Sequence, residues 1–131
     1  MIYDALYTIL SVDTEVTDLV STRIYPDQAP QKAIAPYVVF QLISGDHLES
    51  HQGGSQLVFR RFQFDGWAGT RLLAEQIREA IRLSLQGFSQ SSPVFGTVIQ
   101  AILADSEGSG YDDETELFRA RSDYFIHHEV P

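Results

Sequence analysis

The side chains best suited to chemistry are four histidines and a run of acids. His47 and His51 stand four residues apart, a spacing that puts both imidazoles on one face if the segment is helical, as a metal pair requires. Gly45 precedes them and Gly53-Gly54 follows, so the segment reads as a polar turn. A third ligand would have to come from His127 or His128 with Glu129. Neither pair has a recognisable ligand framework. No metal is therefore expected, and the histidines read as solvated residues of a loop and a tail.

The acids Asp105, Glu107, Asp112, Asp113 and Glu114 surround Gly108 and Gly110. Calcium takes such oxygens, but the EF-hand spacing is missing, and a solvated loop over 105–116 is the expected state. No G-x-S-x-G elbow or G-x-x-x-x-G-K-[ST] phosphate loop occurs. The run Gly66-Trp67-Ala68-Gly69-Thr70 joins a strand to a helix, where phosphates can bind, but it lacks the lysine and the remaining glycines. Asp65 beside Trp67 could be a buried acid; an outward-facing strand residue is the commoner case. No catalytic residue and no cofactor is expected.

Charge narrows the partners. Eighteen acids against nine basic residues give a net charge of -9, and Lys32 is the sole lysine. A protein that grips nucleic acid neutralises phosphate with a basic face, so a DNA-binding role is disfavoured, as is attachment to an anionic membrane. The absence of cysteine removes disulfides, thiolate catalysis and iron–sulfur clusters. The start Met1-Ile2-Tyr3-Asp4 shows no leader pattern, and no run approaches the roughly 18 apolar residues of a membrane span. A soluble chain made in the cytoplasm is expected. Its 131 residues suit a single domain.

The elements that must position these residues follow from periodicity. Ile2, Leu6, Ile9 and Leu10, then Val12, Val16, Leu19 and Val20, repeat a helical spacing, with Asp13 as N-cap of the second helix. A short strand over 23–26 runs into a Pro-bounded loop over 27–36. A β-rich stretch over 37–44 is apolar on both faces and suits a central strand. The next strand, 56–68, changes the parity of its apolar residues between Leu57/Phe59 and Phe62/Phe64, which predicts a bulge near Arg60-Arg61. These two strands are expected to form a long antiparallel hairpin.

Thr70 caps the clearest helix, 71–86, with Leu73, Ile77, Ala80, Ile81 and Leu85 inward. Glu75–Arg78 and Glu79–Arg82 are expected as ion pairs on its wet side, and Gly87 as its stop. A Ser-rich linker leads to a strand through 98–103. In the last strand, 117–128, Phe118, Ala120, Tyr124 and Ile126 alternate with Arg119, Arg121 and Asp123. The order α-α-β-β-β-α-β-β predicts an α+β fold: an antiparallel or mixed sheet with a long hairpin, packed by N-terminal helices and one longer central helix.

Particular strings carry a resemblance. Thr22-Arg23-Ile24-Tyr25-Pro26, Ala29-Pro30-Gln31, Pro36-Tyr37-Val38-Val39-Phe40-Gln41 and Ile43-Ser44-Gly45 resemble the first half of the tail-completion family of long-tailed phages. The stretches Arg61-Phe62-Gln63-Phe64-Asp65-Gly66-Trp67-Ala68 and Leu117-Phe118-Arg119-Ala120-Arg121-Ser122-Asp123-Tyr124 are similar to that family's other recognisable strands, and Tyr3-Asp4-Ala5-Leu6-Tyr7 to its first helix. Together they span nearly the whole chain in order. They are structural residues, so the specificity lies in the ensemble.

The resemblance implies a head-to-tail joining or tail-terminator subunit of a phage, prophage or gene transfer agent. Such subunits form a ring, typically hexameric, on the end of the tail tube, stop its growth and meet the head connector. The family offers no catalytic residues to carry over. The expected partners are further copies of the chain, the tail tube protein and a head-connector or neck protein. DNA would pass through the ring without specific binding. Candidate contact segments are the loop with Asp27, Gln31 and Lys32 and the turn with Asp46, His47, Glu49 and His51. Asp105, Glu107, Asp112, Asp113 and Glu114 are candidate channel-facing acids that would repel passing phosphate. A different class, a small domain holding a ligand among Tyr37, Phe62, Phe64 and Trp67, competes with this; core packing is the plainer role for those rings.

Overall fold

Apolar residues three and four apart make the first helix, α1 (Ile2–Ser11), which buries Ile2, Ala5, Leu6, Ile9 and Leu10. α2 (Thr14–Val20) begins at Asp13, whose carboxylate accepts the Glu15 N–H at 2.9 Å and satisfies a donor that helix starts leave open. Val16 and Val20 point inward. The computed structural model describes residues 2–48, 56–86 and 97–130. The expected turn tip over 49–55, the Gly87 stop and the Ser-rich linker lie outside the described residues.

The strands are β1 (Ile24–Pro26), β2 (Tyr37–Leu48), β3 (Gln56–Ala68), β4 (Ile99–Asp112) and β5 (Leu117–Val130), with α3 (Arg71–Leu85) between β3 and β4. They form one sheet in the order β1-β2-β3-β5-β4. β1 runs parallel to β2 and every other pairing is antiparallel, so the α+β class, the mixed sheet and the element order all hold.

The core lies on one side of the sheet. Val38, Phe40, Phe62, Phe64, Ala120, Tyr124 and Ile126 meet Leu6, Leu10, Ile77, Ile81 and Leu85 of the helices. Fully burying one such large apolar side chain is worth about 1.5–3 kcal/mol, which is why short helices of modest propensity persist here. Thr70 caps α3 as expected, accepting the Leu73 N–H at 3.2 Å. Ala74, more than Leu73, faces the core of α3. The reason is Gly66 on β3: a Cβ there would lie 2.7 Å from Ile77 Cγ2, so helix and strand approach as closely as two small residues allow.

Several expectations are corrected. The acidic segment is no loop: β4 continues through Asp105, Glu107 and Asp112 before a short turn. β2 passes through Gly45 to Leu48, beyond the expected end. The bulge falls on β2, at Ile43 between Leu42 and Ser44, opposite the expected place, while β3 pairs with β5 without a slip. Val58 is buried in phase with Phe62 and Phe64, so β3 needs no change of parity. β2 lies between β1 and β3 over Val38 to Phe40, as expected of a central strand, and β3 is the middle strand of the five. In α3, Glu75 pairs with Arg71 at 3.2 Å, and only the Glu79–Arg82 pair is as expected. Arg78 instead donates to the Gly108 carbonyl at 3.0 Å and Ser109 Oγ at 3.3 Å, with Glu107 3.9 Å away. A long arginine on the flank of α3 reaches polar backbone on β4 more readily than it folds back on its own helix.

Candidate functional site

Side chains alternate across each strand, so the residues out of phase with the core make a second face, which no helix covers among the described residues. This open face is polar but internally paired. Arg119 Nε and Nη2 donate to the two Asp65 carboxylate oxygens at 2.9 and 3.2 Å, and Gln63 Nε2 donates to Asp65 at 3.1 Å. Asp65 is only 4% exposed. It is therefore the buried acid and not the outward-facing strand residue expected from sequence. The arginine fork matches the carboxylate geometry, and three donors offset the cost of removing the charge from water.

The Arg119 guanidinium also sits 5.8 Å from the Trp67 ring centre, and Trp67 stacks on Tyr37 at 6.5 Å. The four aromatics suggested as a ligand site are thus divided. Phe62 and Phe64 belong to the core, while Tyr37 and Trp67 floor a groove of about 470 Å³ between the loop holding Asp27 and Gln31 and the Thr115 turn. Burial, with Asp112 nearby, pushes the Tyr37 phenol above its ordinary range.

A second paired group lies further along the face. Arg61 Nη2 meets Asp123 at 2.6 Å and Asp105 at 3.1 Å, and Arg61 also lies over the Phe125 ring at 5.6 Å. The hydrogen bond to Asp123 holds the Arg61 guanidinium still further into its charged range. Arg121 lies across Gly108 of β4, where a Cβ would come within 2.7 Å of its guanidinium. The charges of the face pair with one another, while Arg61 Nε and Asp123 Oδ1 are buried without a hydrogen-bond partner.

The candidate residues fall as follows. Asp27, Gln31 and Lys32 are exposed on the loop between β1 and β2, and Asp27 accepts the Tyr3 hydroxyl at 2.9 Å. Asp46 and His47 lie in β2, so His47 is a strand residue; Glu49 and His51 lie outside the described residues. The five acids do not form one cluster. Asp105 joins the Arg61 group, Glu107 faces Arg78 on the helix side, and Asp112, Asp113 and Glu114 sit at the β4–β5 turn. His127 contacts Phe59 on the open face at 4.3 Å, whereas His128 is 1% exposed. Adjacent strand residues point to opposite faces, and the expected solvated tail is strand. No group of three metal-ligating side chains occurs among the described residues.

Sequence reasoning missed the Arg61 and Arg119 pairings. Their signal was present as opposite charges on one phase of two strands, but only the β3–β5 register brings them together.

A helix-backed mixed sheet with an ion-paired open face makes this a small α+β domain. The family described as tail completion protein gp17 matches residues 4–129, and the chain belongs to that family. It is a structural protein of a virion tail. A chain in the solved virion of a native gene transfer agent particle superposes with a TM-score of 0.72 at 16% identity, over 95% of this chain and 92% of that one; at that identity the likeness speaks for the fold. A comparison with curated proteins finds no match.

Proposed function

We propose that the chain closes into a ring of identical subunits, six in the simplest case, on the end of the tail tube. There it stops addition of tube subunits and presents a surface to the head connector. The observation that carries this reading is family membership along almost the entire chain. The chemistry agrees with it: the charges of the open face are spent on one another, leaving surface suited to protein contacts.

A ring of one chain needs a heterologous interface, in which two different patches of the subunit meet. The loop with Asp27, Gln31 and Lys32 and the β2–β3 arm with Asp46, His47, Glu49 and His51 are the proposed contact segments. Asp112, Asp113 and Glu114, with Asp105 and Glu107, are the proposed channel acids, an assignment that requires the β4–β5 end to face the axis. Light scattering and negative-stain microscopy of the purified chain, alone and with polymerising tube subunits, test the reading. A discrete ring that caps tubes at a fixed end is expected. Monomers at every concentration, with tubes that keep growing, would refute it.

A further inference from the structure

The two lateral edges of the sheet are unlike, and their differences are complementary. β4 forms one edge, fourteen residues long, with no strand on its outer side among the described residues. Such an edge offers a row of unpaired N–H and C=O groups. It carries Leu103, 51% exposed, with the acids Asp105 and Glu107 close by.

The opposite edge is partly closed. β1 covers only Val38 to Phe40 of β2 and ends in Pro26, which has no N–H. Just beyond it, the Leu42 N–H donates to the Tyr3 hydroxyl at 3.0 Å. Past this plug, β2 runs on from Ile43 to Leu48 with β3 as its sole neighbouring strand among the described residues. Leu42 and Ile43 are 40% and 46% exposed there. A cation also reaches this edge. Arg60 of β3 pairs with Gly45 of β2, and its Cγ and Nε lie 3.1 and 3.7 Å from where a Gly45 Cβ would be. Because residue 45 has no side chain, Arg60 can cross β2 toward the free margin.

Strand direction completes the match. β4 is antiparallel to β5, β5 to β3 and β3 to β2, so β4 and β2 point in opposite directions. A neighbour placed beside this subunit in the same orientation therefore brings its β4 antiparallel to this β2, the more stable pairing per residue. Arg60 and Glu107 then lie on the same side of the joined sheet, since each is in phase with the helix-facing residues. Like edges fit poorly. Two β4 edges would bring Glu107 toward its own copy, and like charges directly opposite are destabilising.

We propose that copies of this chain join edge to edge, the free margin of β4 adding to residues 43–48 of β2 in the next copy, with Arg60 facing Glu107 across the seam. This rests on the ring reading and names its seam.

The absence of cysteine makes the test clean. Ile43→Cys and Glu107→Cys are prepared separately and together in one chain, and oxidised in the presence of tube subunits while light scattering follows assembly. The expected result is a covalent dimer from the mixture of single variants, none from either alone, and a ladder ending at the ring's subunit number from the double variant. In cysteine-free protein, Arg60→Glu or Glu107→Arg alone should weaken association on the order of tenfold, and the two together should restore it. A ring that forms without cross-links or charge rescue overturns the seam and leaves the ring reading intact. Cross-linking of Glu107→Cys with itself overturns it in favour of a two-fold β4 contact. If even the parent chain never associates, ring and seam fall together.

Discussion

Replacing Arg119 by Met removes the main partner of a nearly buried carboxylate. The Asp65 side chain is 6% exposed, against 36% for Arg119. Arg119→Met leaves Asp65 with one donor, Gln63 Nε2 at 3.1 Å, in place of three. Stranding a fully buried charge costs about 3–5 kcal/mol. Because Arg119 is more than a third exposed, solvent already screens part of the pair, and about 2 kcal/mol is the appropriate expectation. Asp65→Asn is milder, roughly 1 kcal/mol, since the group it strands can turn to water. The asymmetry is the diagnostic. Urea unfolding followed by tryptophan fluorescence reads both variants, with Asp65→Asn/Arg119→Met closing a double-mutant cycle. A loss below about 0.5 kcal/mol for Arg119→Met, or a larger loss for Asp65→Asn, would show that the pair does not hold a buried charge in place.

Other positions offer independent tests. Gly66→Ala forces a Cβ against Ile77 and should cost about 1–3 kcal/mol; Ile77→Ala in the same chain should give less than the sum of the two losses, and strict additivity would refute the close approach. Thr70→Ala removes the α3 cap and should cost about 1 kcal/mol in thermal or urea unfolding, whereas Thr70→Asn should keep most of that stability. Burial raises the pKa of the Tyr124 phenol above its ordinary value. A raised folded-state pKa contributes stability that is complete below the unfolded tyrosine pKa, about 10, and is lost as pH rises through the folded value. Tyr124→Phe should therefore flatten the alkaline decline in stability, and an unchanged slope between pH 9 and about 11.5 would contradict the assignment.

The sequence was clearest where one local signal sufficed. Thr70 ahead of an apolar stripe defines α3, and Gln56 to Ala68 reads as a strand at the observed bounds. It failed where a residue's type is set by a neighbour distant in sequence. Gly45 and Asp46 read as a turn, yet β2 goes straight on, and Gly45 accommodates Arg60 lying over it. Residues 105–112 read as loop because Asp, Ser and Gly are poor strand formers. On an edge, where one rim of the strand meets no partner, that composition is tolerated and guards against uncontrolled pairing. Asp65 read as outward because alternation gives its face correctly but says nothing of what crosses that face. Arg119 lies 54 residues away, and only pairing register delivers it.

The reach of Arg78 from α3 to the Gly108 carbonyl changes how β4 bears a load. An outermost strand is ordinarily held by its single neighbour, and a force directed away from the sheet peels it open one bond at a time. Here the helix layer grips the same backbone midway along, so tension applied at that margin is shared between α3 and β5, and peeling meets a stop at Gly108.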